Sequence, residues 1–161
     1  MRRLAVAAGA VAVLAVGGAA FAASSGAQAP GPQTLVLKEK EGQFAFIDQK
    51  PRSKKGRASL GDEIVLSNPL FDAANKRVGD LQAVCTTVKA GREDKASYVC
   101  QGVAHLNTGD ILLQAHLKEQ IGSVVVSGAI TGGTGPYANA RGTFTSEGEE
   151  VSTDTFVFTT S

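Results

Sequence analysis

The chain has 161 residues, with 16 Lys plus Arg against 15 Asp plus Glu and a net charge of +1 at pH 7. That balance leaves no strong field to recruit nucleic acid or an anionic membrane. Two histidines without a nearby third ligand do not make a zinc site, and the sequence contains no GxSxG, HExxH, CxxC or Walker A pattern.

The N-terminus reads as an export signal. Arg2 and Arg3 are followed by an apolar stretch from Leu4 to Ala20, and Ala20-Phe21-Ala22 satisfies the small-x-small rule for signal peptidase. Cleavage after Ala22 makes residues 1–22 a signal peptide. Ala27-Gln28-Ala29 fits the same rule but is followed by Pro30. The alternative, an uncleaved anchor, has an apolar core near the lower limit for a span, which needs about 20 residues. Residues 23–33 are small, polar and proline-containing, as expected of a flexible tether. Residues 34–161 are then one exported domain with no membrane contact after processing.

Helical periodicity is scarce beyond residue 33, while alternation and β-branched runs are common. Strands are predicted at 34–40, 44–49, 63–71, 77–88, 96–106, 111–118, 123–130, 139–146 and 154–159. The first two form either one bent strand or a hairpin. Turn signals at Glu41-Gly42, Asn75-Lys76, Gly91 to Asp94, Thr108-Gly109, Gly122 and Gly132 to Pro136 separate the strands. This pattern is all-β, a sandwich or a barrel. The basic cluster Lys50, Arg52, Lys54, Lys55 and Arg57 has no interleaved aromatics and reads as a solvated loop.

A loop centred on Arg92 and Glu93 sets Cys85 opposite Cys100 on one face of two neighbouring strands. Facing Cβ atoms lie about 4.5–5.5 Å apart, near disulfide range, and an exported chain meets an oxidising compartment. A turn at Thr108-Gly109 then separates two faces. Leu81, Ala83, Cys85, Tyr98, Cys100, Ala104, Ile111 and Leu113 share the buried face. His105, opposite Asp80, and His116, opposite Gln101, fall on the polar face as surface residues. Gly132, Gly133 and Gly135 read as a tight β-turn with glycines at φ > 0.

Three polar residues stand out. Asn68 interrupts the apolar even positions of Ile64-Val65-Leu66-Ser67-Asn68-Pro69-Leu70. It either caps a bulge before Pro69 or is a lumen amide orienting a water or a substrate oxygen. Unpaired, a buried amide costs about 1–3 kcal/mol. Arg141, following the glycine run, is either an exposed strand charge or a mouth residue that polarises an oxygen. Glu147, Glu149 and Glu150 read as a solvated turn.

Three segments, GDEIVLSNPLFD (61–72), VGDLQAVC (78–85) and AITGGTGPY (129–137), together with Ala140-Arg141-Gly142, make the chain similar to the allene oxide cyclase and dirigent barrels from Leu35 to Phe158. The resemblance implies an eight-stranded antiparallel β-barrel, commonly trimeric, that binds a small hydrophobic molecule and steers ring closure or coupling by shape. It assigns Asn68, Arg141 and Glu39 as catalytic candidates. Ile64 and Leu66 match pocket-lining positions, and Leu81, Tyr98 and Tyr137 complete the ligand-contact candidates. Cys85 matches a cyclase pocket cysteine, which a bridge to Cys100 would remove as a thiol. Gly135 and Pro136 stand where many dirigents place an acid. The expected function is that of a secreted small-molecule-binding barrel, an isomerase of the cyclase kind if catalytic, without cofactor or metal. The alternative is a non-catalytic secreted binding or scaffold protein on the same barrel.

Overall fold

The computed structural model describes residues 31–49, 57–92, 95–118, 124–148 and 150–160. The expected signal peptide, most of the expected tether and the basic cluster up to Lys55 lie outside them. Strands run at β1 (Gln33–Lys40), β2 (Gln43–Ile47), β3 (Arg57–Ala58), β4 (Glu63–Phe71), β5 (Arg77–Lys89), β6 (Gly91–Arg92), β7 (Ser97–Leu106), β8 (Gly109–Lys118), β9 (Val124–Gly133), β10 (Arg141–Gly148) and β11 (Val151–Thr159). Antiparallel pairing runs β1-β11-β10-β9-β8-β7-β5-β4, and β1 returns to β4 at Lys38↔Phe71 and Glu39↔Leu70. Eight strands thus close into a barrel.

The first two strands are one bent strand rather than a hairpin. Both lie antiparallel to β4, and the register slips by one residue between Glu39↔Leu70 and Gln43↔Ser67. Gly42 sits in the bend, where an added Cβ would fall 2.3 Å from the Ser67 carbonyl oxygen. A side chain there would force the two strands apart.

Alternation puts one side of each strand inside the barrel. One end is filled. Leu37, Leu70, Leu106, Ile111, Ile130, Phe144, Phe156 and Phe158 form a continuous buried cluster, with the Phe144 and Phe156 rings 5.0 Å apart. Tyr137 packs its ring edge-on against Phe158 at 5.8 Å and covers this end. Toward the other end, Ala58, Cys85, Ala96, Tyr98 and Cys100 form a smaller cluster. Here buried Asp62 pins the loop between β3 and β4, its two carboxylate oxygens accepting from the backbone N–H groups of Gln49 (3.1 Å) and Ser59 (2.7 Å). The two-residue ladder of β3 and β6 carries no alternation signal and was not expected from the sequence.

Cys85 and Cys100 face each other in register and are bridged. The following hairpin differs from expectation. It turns at Asn107 and Thr108, Leu106 pairs with Gly109, and His116 faces Val99 instead of Gln101. The Asn107 N–H donates to the Val78 carbonyl (2.9 Å), extending the β5–β7 ladder one residue into the turn. The shift is by two residues, so every side chain keeps its face. His105 does lie opposite Asp80 in the ladder, but its Nδ1 meets Asp110 Oδ1 at 2.6 Å on the other side. Asp80 is taken by Arg77 (2.6 Å).

The glycine run is also not a tight turn. Gly132 and Gly133 extend β9, and a 3₁₀ turn at Gly135–Tyr137 carries the chain to β10. Only Gly135 of the three has a positive φ, +57°.

Candidate functional site

The unfilled part of the lumen is a cavity of about 110 Å³ beside the disulfide. Its wall is mostly apolar: Leu66, Leu81, Ala83, Cys85, Cys100, Leu113, Leu117, Val126 and Phe144. Glu39 and Ser146 supply the polar side. The small side chains of Ala83, Gly102 and Ala115 leave this space unfilled, whereas phenylalanines occupy the same faces further along the barrel.

The polar side is assembled by register across four adjacent strands. On β4, Asn68 lies two residues from Leu70, which faces Glu39 of β1. Glu39 faces Ser152 of β11, two residues before Asp154, and Asp154 faces Ser146 of β10. The row Asn68, Glu39, Asp154, Ser146 therefore follows from alternation once the barrel is closed. Asn68 Nδ2 donates to Glu39 Oε1 at 2.5 Å, and Asn68 Oδ1 accepts from the Gly42 N–H at 3.0 Å. The two readings of Asn68 thus meet in one side chain, which caps the bend with its oxygen and holds an acid in the lumen with its nitrogen.

Asp154 is fully buried, Glu39 is 8% exposed and Ser146 is 7% exposed. Burial, then the neighbouring Glu39 charge, pushes the Asp154 carboxyl up from 3.8 to about 7, with the Ser146 hydroxyl pulling the other way. Neither Asp154 oxygen has a partner at full hydrogen-bond geometry. An acid so placed holds a proton near neutrality and can give it up, the property required of a general acid or base.

Of the sequence candidates, Leu66, Leu81 and Glu39 line the cavity, and Ile64 and Tyr98 belong to the cluster beside it. Arg141 and Tyr137 are not brought there. Arg141 points outward and donates from Nη1 to its neighbour Ala140's carbonyl (2.8 Å). Tyr137 lies at the packed end, its hydroxyl 3.1 Å from Thr108 Oγ1. Asp154 and Ser146 were missed. The signal that singled out Asn68 was present for Asp154 too, since it leads the inward row Asp154, Phe156, Phe158. Placing the start of β11 at Asp154 hid it, because a strand's first residue reads as part of a turn.

Several solved structures share this architecture. One described as "Pyocyanin demethylase" is 26% identical, with a TM-score of 0.64 over 78% of this chain and 99% of that one. A pterocarpan synthase dirigent protein is 16% identical, with a TM-score of 0.61 over 83% of this chain and 99% of that one. An exo-specific intermolecular Diels-Alderase is 10% identical, with a TM-score of 0.57 over 80% of this chain and 98% of that one; the last two similarities concern the fold alone. No curated protein matches the sequence. Residues 34–156 match the family described as "Allene oxide cyclase barrel like domain", and with the closed eight-stranded barrel this places the chain in that family.

Proposed function

We propose that this chain is an exported barrel that takes a small, largely apolar molecule into its lumen and steers an isomerisation or ring closure there. The observation that carries this reading is the acid Glu39 in the wall of an otherwise apolar cavity, with buried Asp154 packed behind it. Asp154 holds the proton to be donated. Asn68 fixes the Glu39 carboxylate, which receives a proton or faces developing positive charge. Confinement supplies the rest, since a fixed reactive conformer lowers a barrier by about 7–11 kcal/mol in favourable cases. The relation to dirigent and Diels-Alderase barrels supports chemistry governed by enclosure. Export is supported by the N-terminal sequence and the disulfide.

Size limits the occupant. An apolar cavity of about 150 Å³ binds benzene, so about 110 Å³ suits a single small ring or an alkenyl segment.

A non-catalytic binding protein on the same barrel is favoured by the densely packed opposite end. Native mass spectrometry of protein from its source separates the outcomes. A co-purifying small molecule is expected, with Asp154→Asn losing its turnover. Undiminished turnover in Asp154→Asn removes the acid from the chemistry. A lumen that carries nothing, and from which no apolar dye can be displaced, overturns both readings.

A further inference from the structure

The inward row carries two acids and no base. Among the described residues, the side chains facing Asp154 from the strands packed on it are Leu37 and Glu39 from β1 and Phe144 and Ser146 from β10, with Asn68 of β4 reaching Glu39. Nearby cations are directed elsewhere. Lys38 Nζ donates to Asn75 (3.3 Å), Lys40 Nζ lies 4.3 Å from the centre of the Phe71 ring, and Arg141 faces outward. A buried carboxylate without a counter-charge is costly, and among the described residues Glu39 and Asp154 face none. The apolar cavity adjoins this row at Glu39 and Ser146.

We infer that the lumen selects a small apolar molecule bearing a protonated nitrogen, an amine or a basic N-heterocycle, and rejects carboxylates. The inference rests on the lumen being the ligand site. The nitrogen supplies the missing positive charge at Glu39, the acid in the cavity wall, and its apolar body lies against Leu113, Leu117 and the disulfide. An anionic head would add a third negative group to the same wall.

The test uses the disulfide-intact chain and three probes of similar shape, benzylamine, benzyl alcohol and benzoate, titrated calorimetrically at about pH 8, where Asp154 is ionised. Benzylamine is expected to bind at least about tenfold more tightly than benzyl alcohol, and benzoate not at all. Asp154→Asn and Glu39→Gln should each shrink the amine's advantage while leaving benzyl alcohol binding. If either variant fails to fold, the unaltered chain gives a second readout. The amine's advantage over the alcohol should grow between about pH 5.5 and 8 as Asp154 loses its proton. Benzoate binding as well as benzylamine, or an advantage that persists in both variants and at every pH, overturns the inference. Benzyl alcohol binding with no amine advantage also overturns it but leaves the proposed lumen site standing. Failure of all three probes to bind overturns both.

Discussion

Asp154 and Asn68 illustrate two opposite uses of a polar side chain in an apolar row. Asn68 satisfies itself, with one hydrogen bond from each end of its amide, and its replacement should be felt as lost structure. Asn68→Leu removes both bonds and leaves Glu39 buried without its donor. A loss of about 1–3 kcal/mol is expected by urea unfolding. Asp154 costs the fold stability when it ionises. Because its folded carboxyl titrates near 7 while the unfolded one titrates near 3.8, the folded chain binds the extra proton between those values. Stability therefore falls as pH rises from about 4 to 7 and is flat above, an effect on the order of 4 kcal/mol. Asp154→Asn should flatten that slope and raise the melting temperature at about pH 8, read by thermal scans at both ends of the range. Asn68 was legible from sequence because it sits mid-strand between apolar neighbours. Asp154 was not, because the strand was expected to begin there and actually starts at Val151.

The hairpins were legible wherever a local constraint specified register. Two cysteines on one face fixed the β5–β7 pairing, and their bridge spans 15 residues. A loop of that size contributes about 3 kcal/mol by restricting the unfolded chain. Reduction should lower stability by that order and, because both sulfurs line the cavity, weaken any lumen ligand as well. The β7–β8 turn lacked such a constraint, and Gly109 was taken for a turn centre when it is the first residue of β8. In the β9–β10 connection the composition gave the turn but not its type. Gly135 and Asn139 both take the left-handed conformation there, and a Cβ at Gly135 would lie 2.7 Å from the Thr108 carbonyl oxygen. Gly135→Ala is therefore expected to cost about 1–3 kcal/mol, measured by the shift in urea midpoint, and to loosen Tyr137 from the packed end.

At the scale of the whole molecule, strand count and alternation limited the fold to a barrel or a sandwich, and the segments shared with the cyclase and dirigent barrels decided between them. Local sequence could not. Closure depends on β1, which pairs along its length with β11 and at two positions with β4, and neither contact leaves a mark in neighbouring residues. The filled end should dominate stability. Phe156→Ala, at a fully buried position, is expected to cost about 3–5 kcal/mol. Its outward neighbour Val157, 37% exposed, should tolerate alanine within about 0.5 kcal/mol. Chemical denaturation of the two variants side by side checks the contrast.

The hoop is fastened where β1 meets β4, Lys38 to Phe71 and Glu39 to Leu70, before the bend carries the strand on along β4, and one of these rungs carries an acid of the candidate site. Whatever grips that carboxylate also holds the clasp shut. Occupancy should therefore slow amide hydrogen exchange at Leu70 and Phe71, far more than at Leu106 or Phe158, so the fastening itself reports what the interior contains.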